Sequence, residues 1–138
     1  MTVNIYASSS SGNAYRISDG KTSLLLDAGL SIKALREAMG FEISGIDGCL
    51  ITHEHKDHSE GARDILRLGV DTYTSSGTAK LCGLSGYRVH IVKALKQLNI
   101  GTFTVLPFDV EHDAEEPLGF LIYSRETKEK LLYFTDTH

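Results

Sequence analysis

The stretch that decides the fold of this chain is residues 53–58, HEHKDH, in which five of six side chains can bind a metal ion or transfer a proton. Three of the six histidines of the chain fall within these positions. Imidazole nitrogen suits zinc, and carboxylate oxygen suits zinc or manganese. The plain alternative is an exposed loop rich in histidine, but ordinary loop composition explains such a density poorly. The stretch therefore predicts a metal site.

The residues around the cluster suggest how it folds. Residues 48–52, GCLIT, form an apolar run typical of a short strand. In an extended segment, side chains two apart point the same way, so the first, third and fifth side chains of HEHKDH are predicted to face a common ion. A turn into a helix capped by Ser59 is predicted to bring His58 back to the group. The helical HExxH zinc motif is excluded, because Asp57 stands where its second histidine is required.

Three further segments end in a residue that can bind metal. Asp27, His112 and Asp136 close the strand-like runs SLLLD, FDVEH and LLYFTD. Each residue alone has an ordinary explanation, since aspartates at strand ends often form turns and lone histidines are often held by a neighbour. Together they predict ligands gathered at one edge of a sheet.

The remaining pattern predicts a layered α/β (α+β) domain, with no repeat or linker that would divide the 138 residues. Residues 8–13 are predicted to form a loop. Helices are predicted over 32–39, with Ser31 as its cap and Gly40 at its end, over 60–68 and over 76–84. Strands are predicted over 2–7, 14–18, 22–27, 48–52, 71–74, 88–92, 101–106, 108–112, 119–124 and 131–135.

Composition narrows the function classes. With 41% hydrophobic and 23% charged residues, the chain is typical of a soluble globular protein. A net charge of −4 argues against a broad basic surface that grips nucleic acid by electrostatics alone, although it leaves a phosphodiester held by metal ions open. Neither Cys49 nor Cys82 lies in a disulfide or zinc-finger spacing, and no signal-peptide pattern opens the chain, so we expect a cytoplasmic protein.

In chain order, H-x-H-x-D-H at 53–58 flanked by Asp27, His112 and Asp136 resembles the metallo-β-lactamase fold superfamily. The segments SSSSGNAYRI, LLLDAGLS, ITHEHKDHSEG, VEHDAEEP and TDTH resemble its YycJ/WalJ-type branch of DNA exonucleases. The resemblance implies an αβ/βα sandwich, of which this chain would supply the N-terminal half and part of the second sheet. We therefore expect residues 1–138 to be a single domain truncated at its C-terminus, with His138 where the branch usually has glycine and without a later metal-binding histidine.

The same resemblance implies roles for individual residues. Six of them would hold two divalent ions, zinc or manganese. The first ion would be bound by His53, His55 and His112, and the second by Asp57 and His58. Asp136 would bind both ions. Asp27 would fix a ligand histidine or the attacking water. Ser11 and Asn13 would lie in a loop beside the metals and meet a phosphate oxygen of the substrate.

Three functions remain open from the sequence. The leading hypothesis is a nuclease acting on DNA rather than RNA, in which a hydroxide shared by two metal ions attacks phosphorus in line and Asp57 helps to orient it. The same chemistry could cleave a thioester, lactone or β-lactam, which the acidic net charge mildly favours. The third is a non-catalytic metal-binding module or inactive fragment, although structural zinc sites usually have four ligands with cysteine prominent.

Overall fold

The computed structural model of the chain describes residues 1–40, 43–111 and 113–135. Within these residues a layer of helices covers one face of a mixed sheet, and an antiparallel sheet covers the other face. The layers follow from burial, because each sheet has an apolar face that must be removed from water. The predicted α/β (α+β) class is confirmed.

The first sheet has six strands in the described part of the chain, and their spatial order follows the order in the sequence. They are β1 (Thr2–Ser9), β2 (Gly12–Ser18), β3 (Ser23–Leu26), β4 (Gly48–Leu50), β5 (Thr72–Thr74) and β6 (Val89–Ile91). The pairs β1–β2 and β2–β3 are antiparallel, whereas β3 to β6 run parallel. The carboxyl ends of β3, β4 and β5 therefore meet at one edge, where α/β proteins commonly place their sites.

Short helices connect the parallel strands. They are α1 (Ile32–Ala38), a 3₁₀ turn (Ile43–Gly45), α2 (Lys56–Ser59), α3 (Ala62–Arg67) and α4 (Ser76–Cys82). The predicted cap of α1 is confirmed, since Ser31 Oγ accepts a hydrogen bond from the backbone N–H of Ala34, and Gly40 follows with φ of 63°. No helix in the described ranges has the length and apolar composition that crossing a bilayer requires.

The second sheet is antiparallel and has the order β10-β9-β8-β7. Its strands are β7 (Leu98–Ile100), β8 (Phe103–Asp109), β9 (Leu118–Ser124) and β10 (Lys130–Tyr133). Between the two sheets lies a core that includes Leu24 and Leu50 from the first and Phe103 and Phe120 from the second. The core between the first sheet and the helices includes Cys49, as its place on a buried strand predicts.

The predicted loop over residues 8–13 is wrong. β1 and β2 form one hairpin whose last pair is Ser9 with Gly12, so only Ser10 and Ser11 form the turn. Cross-strand pairing dominated the local preference of serine, glycine and asparagine for irregular structure.

Where the sequence predicts two strands, over 101–106 and 108–112, the described residues form one strand, β8, over Phe103–Asp109, with β7 just before it. Residue 112 lies outside the described residues. Pro107, which separates the two predicted ranges, lies beyond the paired residues of β7, where no ladder bond requires its missing N–H. On that side its carbonyl oxygen accepts a hydrogen bond from the backbone N–H of Leu95. β8 therefore continues unbroken to Asp109.

Asp19 joins the two sheets at the end opposite the carboxyl ends of β3 and β4. Its carboxylate accepts hydrogen bonds from the hydroxyl of Thr102, in the turn between β7 and β8, and from the hydroxyl of Ser124 at the end of β9. It also accepts from the backbone N–H groups of Lys21 and Thr22. Burial alone would raise the pKa of Asp19, but these hydrogen bonds outweigh it and hold the pKa well below its ordinary value.

Replacing Asp19 with alanine should therefore lower the free energy of unfolding by about 2–3 kcal/mol at pH 7, because four donors lose a charged acceptor. Since the folded pKa is lowered, this stabilisation is present above the unfolded pKa of about 4 and is lost as the pH falls below it. Urea denaturation at several pH values should show the two proteins converging in acid. As a control, Asp64→Ala removes only a surface pair with Arg67 and should cost under about 0.5 kcal/mol. Equal losses for both variants would contradict the role given to Asp19.

Candidate active site

Asp27 follows directly after β3 and turns the chain across the edge of the first sheet. Its backbone has φ of 59°, a left-handed conformation that is uncommon for residues other than glycine and tolerated best by aspartate and asparagine. The residues that follow are held by backbone hydrogen bonds from Ala28 N–H to the His58 carbonyl and from Gly29 N–H to the Asn13 carbonyl. The turn thus brings the β2 hairpin and the HEHKDH segment together.

The carboxylate of Asp27 is fully buried and surrounded by donors. Oδ1 accepts from the backbone N–H of Thr52 at 2.8 Å, and the Thr52 hydroxyl lies 2.9 Å from Oδ2. Oδ2 also accepts from His58 Nδ1 and from the hydroxyl of Tyr133, both at 2.7 Å. A buried carboxylate is tolerated only with such complete hydrogen bonding. Because a carboxylate can only accept, the His58 proton lies on Nδ1.

The histidines lie where the chain leaves β4. The ring centroid of His53 is 4.7 Å from that of His55 and 4.3 Å from that of His58. His53 is fully buried, and its Nδ1 is 2.9 Å from the Thr52 hydroxyl. Asp57 Oδ2 is 3.4 Å from His58 Nε2. The three imidazoles and one carboxylate thus form a single cluster.

The segment is not extended as far as predicted. α2 begins at Lys56, so Asp57 and His58 lie on a helical turn, while His55 just precedes it with φ of −56° and ψ of 139°. Ser59 does not cap the next helix, because its hydroxyl donates to the carbonyls of Glu54 and His55. The helical turn, and not a cap at Ser59, brings His58 back towards His53.

Opposing effects act on the pKa of His58. Burial alone would lower it, but the hydrogen bond to Asp27 and the negative charges of Asp27 and Asp57 outweigh burial, so the pKa is raised above its ordinary value. The hydrogen bond at Nδ1 leaves Nε2 as the ring atom directed towards Asp57. This is the arrangement in which a carboxylate orients a metal-binding imidazole.

A cleft of about 560 Å³ opens beside the cluster. Its described lining residues are Ser8, Ser9, Ser10, Asn13, Tyr15, Asp57, His58, Tyr133, Phe134 and Thr135. The amide nitrogen of Asn13 lies 3.4 Å from Asp57 Oδ2 and 3.3 Å from His58 Nε2, so it faces the cluster. Ser11 lies in the hairpin turn with its hydroxyl 2.9 Å from that of Ser9. Of the described lining residues, none is lysine or arginine.

Glu54, the second residue of HEHKDH, links the cluster to the loop before β9. Its Oε2 accepts the backbone N–H of Glu115 at 3.0 Å, and Glu116 in turn accepts the N–H of Gly77 at the start of α4. His112 and Asp136 lie outside the described residues. The sequence prediction that both join the cluster therefore stays a prediction.

The donors that are described fit a zinc or manganese ion in kind, since they combine imidazole nitrogen and carboxylate oxygen on adjacent side chains. Within residues 1–40, 43–111 and 113–135, no group of three or more His, Cys, Asp or Glu side chains is already arranged to hold a metal ion. That the described side chains bind metal therefore stays a prediction.

Comparison with known proteins identifies the family. Residues 22–138 match the beta-lactamase superfamily domain. The chain belongs to this family. The predicted resemblance is thereby confirmed, and the mixed α/β structure with its two sheets matches solved structures of this fold.

Two curated relatives in this family are exonucleases by name. The chain is 35% identical to exodeoxyribonuclease WalJ of Streptococcus pneumoniae over 96% of its own length and 53% of the relative's. It is 32% identical to exodeoxyribonuclease YycJ of Bacillus anthracis, again over 96% and 53%. The chain thus spans about half the length of the curated relatives it matches.

A solved structure agrees on the fold. The metallo-beta-lactamase fold protein YhfI from Bacillus subtilis superposes with a TM-score of 0.75, covering 97% of this chain and 61% of that one. The two sequences are 17% identical, so this likeness bears on architecture alone. It confirms the predicted metallo-β-lactamase-type sandwich.

Sequence reasoning overlooked several residues that contact the cluster. Thr52 directly precedes HEHKDH, so its position beside the motif was a usable signal. Tyr133 gives no such signal, because it alternates along an ordinary strand 106 residues from Asp27. The contact from Glu54 to Glu115 likewise joins residues 61 apart.

Replacing Gly29 with alanine should collapse this arrangement. A β-carbon there would lie 1.8 Å from the backbone oxygen of Asp57 and 2.7 Å from the backbone nitrogen of Asn13, and backbone atoms cannot move aside cheaply. We expect the free energy of unfolding to fall by at least about 3 kcal/mol.

The matched control is Gly45→Ala, where the nearest atom would be 3.5 Å away at the end of the flexible Arg16 side chain. Its effect should stay within about 0.5 kcal/mol. Urea denaturation followed by circular dichroism measures both variants. A Gly29→Ala protein as stable as the control would show that the approach of Asp57 to Gly29 is not needed.

Proposed function

We propose that this chain is the metal-binding part of a hydrolase that cleaves phosphodiester bonds in DNA. The observation that supports this most is the cluster of three imidazoles with Asp57, held by the buried Asp27, in a chain 35% identical over 96% of its length to a protein named an exodeoxyribonuclease. Membership of the beta-lactamase superfamily domain supports a hydrolytic role. The DNA substrate and the phosphodiester cleavage are both part of this proposal.

Two divalent ions, zinc or manganese, would be bound by His53, His55, Asp57 and His58 together with the undescribed His112 and Asp136. When bound, such ions lower the pKa of water towards neutrality and neutralise charge on the oxygens of a phosphodiester. This chemistry needs rigid ligands, because small displacements of reacting groups cost rate.

The protein's own contribution begins with orientation. Asp27 accepts a hydrogen bond from His58 Nδ1–H, which leaves the lone pair of Nε2, on the side of Asp57, available to bind a metal ion. Thr52 connects the same carboxylate to His53 Nδ1. One buried acceptor therefore fixes two of the imidazoles. Asp57, which borders the cleft, is placed to accept a hydrogen bond from the attacking water.

The cleft suggests how a phosphate would be received. Ser8, Ser9, Ser10 and Asn13 are among its lining residues, and hydroxyl and amide groups of these types can donate hydrogen bonds to phosphate oxygens. Because the described lining has no lysine or arginine, charge neutralisation would fall to the metal ions. Such a cleft suits one or two phosphates near the end of a DNA strand better than a long DNA duplex.

The same lining supports a second candidate, the hydrolysis of a thioester, lactone or β-lactam. An uncharged substrate needs no cationic wall, and the chain has a net charge of −4. The attack on a carbonyl uses the same residues, and the fold does not select between the two.

Removing a cluster side chain should abolish activity and weaken metal binding together. We expect Asp57→Asn and His58→Ala to lower kcat/KM on linear DNA by more than about 100-fold. The reason is that losing a metal ligand should reduce activity more than losing a group that only orients a ligand. Metal content per chain, measured by elemental analysis of tag-free protein, should fall in parallel.

The matched controls are Asp64→Asn on α3 and His90→Ala on β6, where His90 stacks on Tyr73 outside the cleft. Both should keep activity and metal content. Unchanged DNA cleavage by either cluster variant would contradict the proposed mechanism. Cleavage of chromogenic ester, thioester or β-lactam substrates without any cleavage of linear or nicked DNA would favour the second candidate.

A further inference from the structure

Tyr133 reaches the site from the second sheet. It ends β10, and its hydroxyl donates to Asp27 Oδ2 at 2.7 Å across a separation of 106 residues. Burial first, and then the negative charge of Asp27, raise the pKa of Tyr133 far above its ordinary value. The phenol therefore stays protonated at neutral pH and can donate to Asp27.

The contact completes the hydrogen bonding of one oxygen. Oδ2 of Asp27 serves both His58 Nδ1 and the Tyr133 hydroxyl, while the backbone N–H of Thr52 serves Oδ1. Rotation of the carboxylate about its Cβ–Cγ bond breaks these hydrogen bonds, and each further donor on Oδ2 raises the cost of that rotation. Loss of the phenol would leave Oδ2 with His58 and the shared Thr52 hydroxyl as its donors.

We propose that Tyr133 is a positioning residue, whose hydroxyl fixes the rotation of the Asp27 carboxylate and through it the direction of the His58 imidazole. The proposal rests on the proposed function, because it takes His58 Nε2 as the atom that binds the metal ion. It makes the second sheet a structural requirement for the ligands at the edge of the first, although Tyr133 itself touches no ligand atom of His58.

The variant Tyr133→Phe isolates the hydroxyl. The ring packs edge-on against Tyr15 with centroids 5.4 Å apart, and phenylalanine preserves that contact. The matched control is Tyr123→Phe, the same chemical change on neighbouring β9, at a residue that is half-buried and does not line the described cleft. A buried tyrosine that merely fills space would tolerate both changes alike.

Two measurements decide the role. In the metal-free chain, nitrogen-15 NMR of the histidine side chains should show wild-type His58 as one tautomer protonated at Nδ1, and Tyr133→Phe should show averaged tautomers. Zinc affinity, measured by competition with a chromophoric chelator, should fall about tenfold in Tyr133→Phe, as for other groups that hold a ligand in place. Tyr123→Phe should change neither.

The route through Asp27 is tested in an Asp27→Asn background, where adding Tyr133→Phe should cause no further loss of zinc affinity. Additive losses would overturn the proposal, as would a Tyr133→Phe protein with unchanged His58 tautomer and unchanged affinity. If the wild-type chain binds no zinc, the proposed function fails for this chain. The tautomer of His58 then decides the positioning role by itself.

Discussion

The buried carboxylate of Asp27 is the constraint on which the site depends. A charge without solvent must be surrounded by donors, and the donors here come from the segment that follows β4, from α2 and from β10. Each of these elements is thereby fixed relative to the end of β3. Because an unsatisfied buried carboxylate would cost free energy, the hydrogen bonds to Asp27 hold the elements of the imidazole cluster together.

Close backbone packing gives this arrangement its precision. The Gly29 backbone contacts that of Asp57 so tightly that no side chain fits between them, and Gly61 approaches the Leu30 carbonyl in the same way. Side chains of the cluster therefore project from a backbone with little freedom to shift. The cleft walls are held separately, by the hairpin of β1 and β2 on one side and by the end of β10 on the other.

Much of this was accessible from the sequence where the signal is local. The strands at 14–18 and 22–27 and the capped helix α1 were predicted, because short-range pattern and capping chemistry decide them. Local preference misled where pairing over distance took precedence, as in the serine hairpin and in β8. The contacts made by Tyr133 and Glu54 could not be predicted, since they join residues far apart in sequence whose types are common in any protein.

The left-handed backbone of Asp27 has a consequence for substitution. Glutamate carries the same charge, but its longer side chain would place the carboxylate elsewhere and it tolerates this backbone conformation less well. Glycine would accept the backbone and lose the acceptor. Asparagine alone keeps both the conformation and one carbonyl oxygen, at the expense of charge. The backbone conformation and the hydrogen-bond chemistry thus restrict this position independently. Very few substitutions there would leave the site unchanged.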